Sequence, residues 1–257
     1  MKFDEQPTEE MLRRLIDEAR GRGEKTLVVE TTREAGDAWR RAGFSERARI
    51  FEAPLDALEQ RLSAEKAPSF GSIHVQTDDL EGVVRAVRQF VPRMPGGSKG
   101  SVVAPPRNGW IAVYDELTDR NPEMLRRLGR ELSDRMGAVV LVLGAEEEQV
   151  VRFVLLERGR VVDEYLSVPE YYGNVPPGDV IALSANPTVV ARLTGADPAE
   201  VRRVAQTAKS PNDLPPVHEL VAALGRLLGV TGAEGGYSDA DALAGSVPIP
   251  GGGRADA

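Results

Sequence analysis

Cysteine is missing from this chain altogether. Disulfides, thiolate metal ligands and a cysteine nucleophile are therefore excluded, and the absence suits a reducing cytosol, so a cytoplasmic location is expected. Histidine is nearly missing too: His74 and His218 are the two present. They stand in no His-x-x-x-His or carboxylate spacing that would suggest a metal. No run of about 18 apolar residues occurs, so neither a spanning helix nor a membrane partner is expected. The opening "MKFDEQPTEEMLRRL" is broken by acids and arginines and offers no apolar core of signal-peptide length. Positive charge is in short supply: a net charge of -8 and a pI near 5.1 argue against nucleic acid as a partner, because its phosphates repel such a surface.

What is present is enough for a sizeable core. With 257 residues, 41% of them apolar, the chain has room for two domains. Three zones follow from its patterning. In the first, residues 1–63, Met11, Leu12, Leu15, Ile16 and Ala19 trace one face of a helix, with Thr8 placed to cap it and Gly21 and Gly23 to end it. "KTLVVET" reads as a buried strand. Ala35, Ala38, Trp39 and Ala42 trace a second helix closed by Gly43, and "FSERARIFEA" alternates imperfectly, as an antiparallel strand does.

This helix, strand, helix, strand order, with "AWRRAGF" closing the second helix, resembles the C-terminal half of a GNAT-family N-acetyltransferase. Residues 9–55 carry the resemblance. In that family the short helix ends aromatic-x-x-x-Gly-Phe, matched here by Trp39, Gly43 and Phe44. The resemblance implies an acetyl-CoA pyrophosphate turn just before Met11, of the form Arg/Gln-x-x-Gly-x-Gly/Ala. The residues there are "FDEQPTEE", which bring carboxylates and no glycine to a place where backbone N–H groups would have to approach a phosphate. The aromatic of the family motif is usually a tyrosine that protonates the departing thiolate; Trp39 cannot give up its indole proton near neutral pH. An asparagine common ahead of this helix is Thr32 here. The resemblance thus implies a degenerate half domain with no catalytic and no cofactor-binding residue. Its unfinished sheet would leave an edge open to pairing, with a homodimer as one outcome.

Leu55, Leu58 and Leu62 suggest a short helix, and residues 64–71 read as a linker. The second zone, 72–230, starts with the strand "SIHVQT". A helix capped by Asp78 or Asp79 follows, with Leu80, Val83, Val84, Val87 and Phe90 on one face. "SVVAPP" and "GWIAVYD" flank a Pro-Arg-Asn-Gly turn. Pro122 opens a helix bearing Met124, Leu125, Leu128, Leu132 and Met136. "AVVLVLG", "VVRFVLL" and "VVDEYLSV" form a meander, with Gly159 in the last turn. The order through Gly144 is β-α-β-β-α-β, the split arrangement of ferredoxin-like α+β domains. Helices are expected at 185–193, 198–208 and 216–228. The third zone, 231–257, is glycine-rich without apolar periodicity and is expected to be a disordered tail.

Several constellations bear on chemistry. "PGGSKGS" contains Lys99 but places it before Gly100 on the way into a strand, which is the wrong context for a phosphate loop. Ser101, Ser133, Ser167 and Ser184 lack a Gly-x-Ser-x-Gly setting. Glu146, Glu147 and Glu148 read as a solvated turn, without the further oxygen ligands that Mg²⁺ or Ca²⁺ would need. The most distinctive stretch is Arg160 to Asp179, where Tyr165, Tyr171 and Tyr172 cluster beside Asp163 and Glu164 in a chain with 5% aromatics. Tyrosine joins apolar area to a polar end, which suits either packing or a ligand or partner surface. The expectation is an α+β binding or regulatory protein of the cytoplasm without catalysis of its own. The alternative is a diverged acyl-CoA-dependent N-acetyltransferase completed by the second domain or a partner chain, with acetyl-CoA as its cofactor. A third reading is a small-molecule sensor built on the Tyr165–Tyr172 loop.

Overall fold

The computed structural model describes residues 2–3, 7–31, 36–47, 50–54, 69–173, 175–240 and 243–251. It divides into two units, Met1–Lys66 and Ala67–Ala257. The helix expected around Leu55, Leu58 and Leu62, and most of the linker, lie outside the described residues.

In the first unit Thr8 caps α1 (Glu9–Gly21), its hydroxyl oxygen accepting from the Met11 N–H at 3.2 Å. Strand β2 (Thr26–Thr31), α2 (Gly36–Arg41) and two further strands follow. Two features depart from expectation. Lys2–Phe3 adds β1, parallel to β2. The stretch expected as one strand is two antiparallel strands, β3 (Ser45–Arg47) and β4 (Ile50–Pro54), and the imperfect alternation marks their reversal. The sheet order is β1-β2-β4-β3. Leu27 and Val29 are buried while Val28 is 43% exposed, so β2 is covered on one face rather than two. Against that face pack Leu12, Leu15, Ile16 and Ala19 of α1, together with Trp39 and Phe44. The last two meet edge to face with ring centroids 5.1 Å apart. Gly43 permits this contact: its φ of +98° turns the chain so that Phe44 comes back under the indole.

The second unit is a seven-stranded antiparallel sheet with helices on both faces. Its strands are β5 (Phe70–Val75), β6 (Gly100–Val103), β7 (Ile111–Asp115), β8 (Val139–Glu146), β9 (Val150–Glu157), β10 (Arg160–Leu166) and β11 (Val247–Pro250), in the order β10-β9-β8-β5-β7-β6-β11. Asn108 and Gly109, both at positive φ, turn β6 into β7, and Arg158 and Gly159 do the same between β9 and β10, the residue types that such tight turns require. One face carries α3 (Leu80–Phe90), capped by Asp79, and α5 (Pro122–Met136), capped by Asn121, with the short α4 (Glu116–Arg120) between them in sequence. Val83, Val87, Leu128 and Leu132 pack there on Ile73, Val113, Val142 and Val154. The other face carries α7 (Pro187–Thr194), α8 (Pro198–Val204) and α9 (Val217–Leu228), after α6 (Pro177–Ala182). Val190, Val201, Val221 and Leu224 pack there on Leu141, Leu143, Phe153 and Leu155. Burial on both faces explains why β8 and β9 read as continuous apolar runs rather than alternating ones.

The segment after Val230 is ordered where it is described, contrary to expectation. It forms α10 (Tyr237–Ala240) and β11, which pairs antiparallel with β6, Ile249 opposite Ser101. Ala233, Ala240 and Ile249 are buried. Tyr114 donates its hydroxyl to the Gly232 carbonyl at 2.8 Å, and the Tyr237 N–H donates to Asp119 at 2.7 Å. The signal is hidden in the sequence because the anchoring residues are small or isolated, and because Pro248 and Pro250 interrupt β11. Proline is tolerated there because this is an edge strand with one pairing partner.

Two outcomes follow. Trp39→Ala is expected to cost about 3–5 kcal/mol in urea unfolding, the range for emptying a buried aromatic site, with Trp39→Tyr much milder; an unchanged midpoint for Trp39→Ala would place the indole outside the core. Ending the chain at Val230 is expected to lower the Tm by at least about 5 °C, since each kcal/mol moves a domain of this size by about 2–4 °C. A Tm unchanged within about a degree would mean that β11 contributes no stability.

Candidate functional site

Three glycines shape the contact between α5 and the sheet, two on the strands and Gly129 on the helix. Gly71 and Gly144 are register partners across β5 and β8. A Cβ on Gly71 would stand 2.5 Å from Leu125, and one on Gly144 would stand 3.2 Å from the same side chain. A turn further along the helix, a Cβ on Gly129 would stand 2.3 Å from Val142. These bare positions let α5 lie close on the strands, with Leu125 and Val142 taking the space a Cβ would need. A cavity of about 260 Å³ opens there. Phe70, Leu125, Val142 and Val154 form its apolar walls; Thr118, Asp119 and Glu123 line one part of it, and Arg126, Arg152 and Glu146 another.

The arginines are held in a relay that crosses the strands. Arg126 and Arg152 both donate to one oxygen of Glu164, at 2.7 and 2.9 Å. Arg152 donates through Nε to Glu146 Oε1 at 2.8 Å. The Tyr172 hydroxyl donates to the other oxygen of Glu146, and the Tyr171 hydroxyl to Glu147 at 3.2 Å. The two tyrosine rings pack edge to face, centroids 4.9 Å apart. Burial alone would lower the Arg152 guanidinium; Glu146 and Glu164 outweigh it and hold the group charged. Burial first, and then the bond to Glu146, push the Tyr172 phenol up. The acid turn is thus not the solvated tip expected. Glu146 is buried and ion-paired, while Glu147 and Glu148 take positive φ in the turn itself.

The five residues singled out in the sequence fall into three settings. Glu164 ties the two arginines together, and Tyr171 and Tyr172 reach the acid turn at the cavity rim. Tyr165 is fully buried on the opposite face, stacked on Phe153 at 5.1 Å with its hydroxyl donating to the Gln206 carbonyl at 2.7 Å. Its role there is packing. Asp163 accepts from the Asn186 N–H at 3.0 Å, and burial pushes its carboxyl up to about 6. It anchors the start of α7 rather than joining the cavity.

Arg126, Arg152 and Asp119 were not picked out from the sequence, because each is an ordinary charged residue in an amphipathic pattern until strands and helix meet. Asp119 accepts from the Gly71 N–H at 3.1 Å as well as from Tyr237, and its carboxyl is pushed up to about 6, by burial first and also by the charges of Asp115 and Asp239.

The remaining candidates have structural partners. Ser98 and Ser101 donate to Asp115, which fixes the glycine-rich stretch around Lys99 to the end of β7. Ser133 joins the Ala138 carbonyl to the Gly159 N–H, and Ser167 accepts from the Val151 N–H. Ser184 donates back along α6 to the Val180 carbonyl. His218 is exposed. Ser72 Oγ lies 2.9 Å from His74 Nε2, but the hydroxyl is sealed, with Ser72 0% exposed, so a substrate has no path to it. Among the described residues no group of three His, Cys, Asp or Glu is placed to hold a metal ion, and no helix is long and apolar enough to cross a membrane. Comparison with protein-family models, curated proteins and solved structures finds no match for the chain.

Burial pushes the His74 imidazole down from 6.5 to about 3. The unfolded chain therefore takes up a proton near pH 6.5 that the fold refuses until about pH 3, and His74 costs stability as pH falls through this window, roughly 2 kcal/mol by pH 5. Asp119 and Asp163 act with the opposite sign: their folded carboxyls titrate near 6 against 3.8 unfolded, so they add stability as pH falls between those values. The histidine's part is isolated by comparing the chain with its His74→Gln variant in urea at pH 7 and pH 5. The variant is expected to gain roughly 2 kcal/mol relative to the parent on going to pH 5; a difference independent of pH would mean that His74 titrates normally.

Proposed function

We propose that this chain is a non-catalytic binding or regulatory protein whose second unit takes a small molecule in the cavity between α5 and the sheet. The observation that carries the reading is the cavity itself, with apolar walls beside a charged rim. At about 260 Å³ it suits a ligand at or below the small end of the usual range. The charges indicate which kind. Arg126 and Arg152 are already matched by Glu164 and Glu146. Among the described residues Asp119 and Glu123 enter no ion pair, and the raised Asp119 carboxyl is one that a nearby cation would relieve. The ligand is therefore a small molecule with an apolar body and an amine. Glu146 links the rim to Tyr172, so the loop that carries Tyr171 and Tyr172 is in contact with the site, which supports the sensor form of this reading.

The finer features of the fold belong to the same proposal. The order β8-β5-β7-β6 with α3 and α5 on one face supports a ferredoxin-like core, extended by β9, β10 and β11. The order of α1, β2, α2, β3 and β4, with Trp39 and Phe44 in contact, supports a degenerate acetyltransferase-like half domain. Trp39 is buried there as a core anchor. Strands β1 and β3 are the outer strands of its sheet, and pairing with a second copy would use one of them.

Titration calorimetry with matched compounds tests this. Phenylethylamine is expected to bind saturably with a Kd below about 1 mM, equivalent to roughly -4 kcal/mol, and Asp119→Asn to weaken it about tenfold. Phenylpropionate and phenylethanol are expected to bind more weakly. Acetyl-CoA is expected to give no saturable heat below about 10 µM. Absence of binding by all three aromatic compounds overturns the cavity reading, and tight acetyl-CoA binding restores the acetyltransferase alternative.

A further inference from the structure

A second, smaller cavity lies on the other face of the sheet, under the segment that follows Val230. It measures about 50 Å³ and is lined by His74, Trp110, Ala112 and Tyr114 from the sheet side, with Arg107, Thr231 and Gly232 among the residues around it. Tyr114 fastens this cover by donating to the Gly232 carbonyl, so that hydroxyl proton is already committed. His74 is 1% exposed. Its Nε2 lies 2.9 Å from Ser72 Oγ, and Ser72 Oγ in turn reaches the Leu143 carbonyl at 3.4 Å. A carbonyl can only accept, so a serine proton engaged by Leu143 assigns the imidazole proton to Nε2, donating toward the serine oxygen. That leaves Nδ1 as a bare lone pair. Among the described residues it is the one buried side-chain nitrogen or oxygen without a hydrogen-bond partner.

A buried acceptor left unmet costs about 1–3 kcal/mol, and a cavity with such a polar atom at its wall is ordinarily filled. We infer that the cavity beside His74 is a binding site for a small neutral molecule that donates a hydroxyl proton to Nδ1. The volume sets the limit at one or two waters, since a water claims about 30 Å³ in the liquid, and a two-carbon alcohol enters only if the cover over the cavity gives way. Neutrality follows from the surroundings. Trp110, Ala104, Ala112 and Leu243 make most of the wall apolar; a cation there would lose its hydration with no carboxylate in the lining, and an anion, although Arg107 lies in the lining, would face the bare lone pair of Nδ1. The site is independent of the cavity under α5, on the opposite side of the sheet.

Long-range proton–nitrogen spectra of the full chain labelled at histidine nitrogens test this directly, with exposed His218 as the internal reference. The expected result is a protonated Nε2 and an unprotonated Nδ1 shifted away from the position of a nitrogen free of hydrogen bonds. Ethanol is then titrated in. A saturable shift at His74 with His218 unmoved identifies an alcohol as an occupant. No response to ethanol, together with a cross-peak between water and the His74 ring, identifies water as the sole donor. Either result supports a hydroxyl-donor site. A proton found on Nδ1, or an Nδ1 shift equal to that of a nitrogen without hydrogen bonds, overturns it.

Discussion

The close approach of α5 to the sheet is the constraint on which the rest of the second unit depends. Helices normally ride on side chains some distance above a sheet. Here Gly71, Gly129 and Gly144 remove those side chains at three contacts, and Leu125 and Val142 occupy the space that the missing Cβ atoms would need. The result is a helix held close to the strands, with the cavity opening beside its start. The cavity is a product of that arrangement, not of any single polar residue. With the helix set at this height, Arg126 comes level with Glu164 of β10, and Arg152 of β9 completes the link to Glu146.

Those partly buried ion pairs hold the rim in one geometry more than they stabilise the fold. Two charges taken out of water lose much of what their attraction returns. Arg152 has carboxylates on two sides and Glu164 has guanidiniums on two sides, so each is compensated and none is left alone. Removing one member would strand its neighbours. The rim is thereby coupled to the loop of Tyr171 and Tyr172 through Glu146 and Glu147, which turns a surface loop into part of the cavity's boundary.

The two faces of the sheet divide their polar business differently. On the α5 face charged groups pair with one another around open space. On the opposite face polarity is nearly excluded: Tyr165 keeps its phenol by reaching a backbone carbonyl, and His74 stays neutral because burial penalises its charged form. The segment after Val230 matters to both sides. It supplies the N–H of Tyr237 to Asp119 at the first cavity and the carbonyl of Gly232 to Tyr114 over the second.

The elements are legible from local signals along the chain. The period of Leu80 to Phe90 and of Met124 to Met136 set two helices, Asn121 with Pro122 started one of them, and Asn108-Gly109 and Gly159 closed two hairpins, because these signals act within a few residues of the chain. The sequence also placed Glu164, Tyr171 and Tyr172 among the residues worth attention. Tertiary structure alone decided which of those face open space. Tyr165 belongs to the same tyrosine-rich stretch as Tyr172, yet its place in β10 sends it into the opposite core. The order of the tail was decided in the same way, since β11 has no local signal and exists through its pairing with β6. So was the cavity, whose walls come from β5, α4, α5, β8 and β9. Short-range preferences are written residue by residue. A cavity and its charge balance arise where segments distant in sequence meet, and no window along the chain contains them.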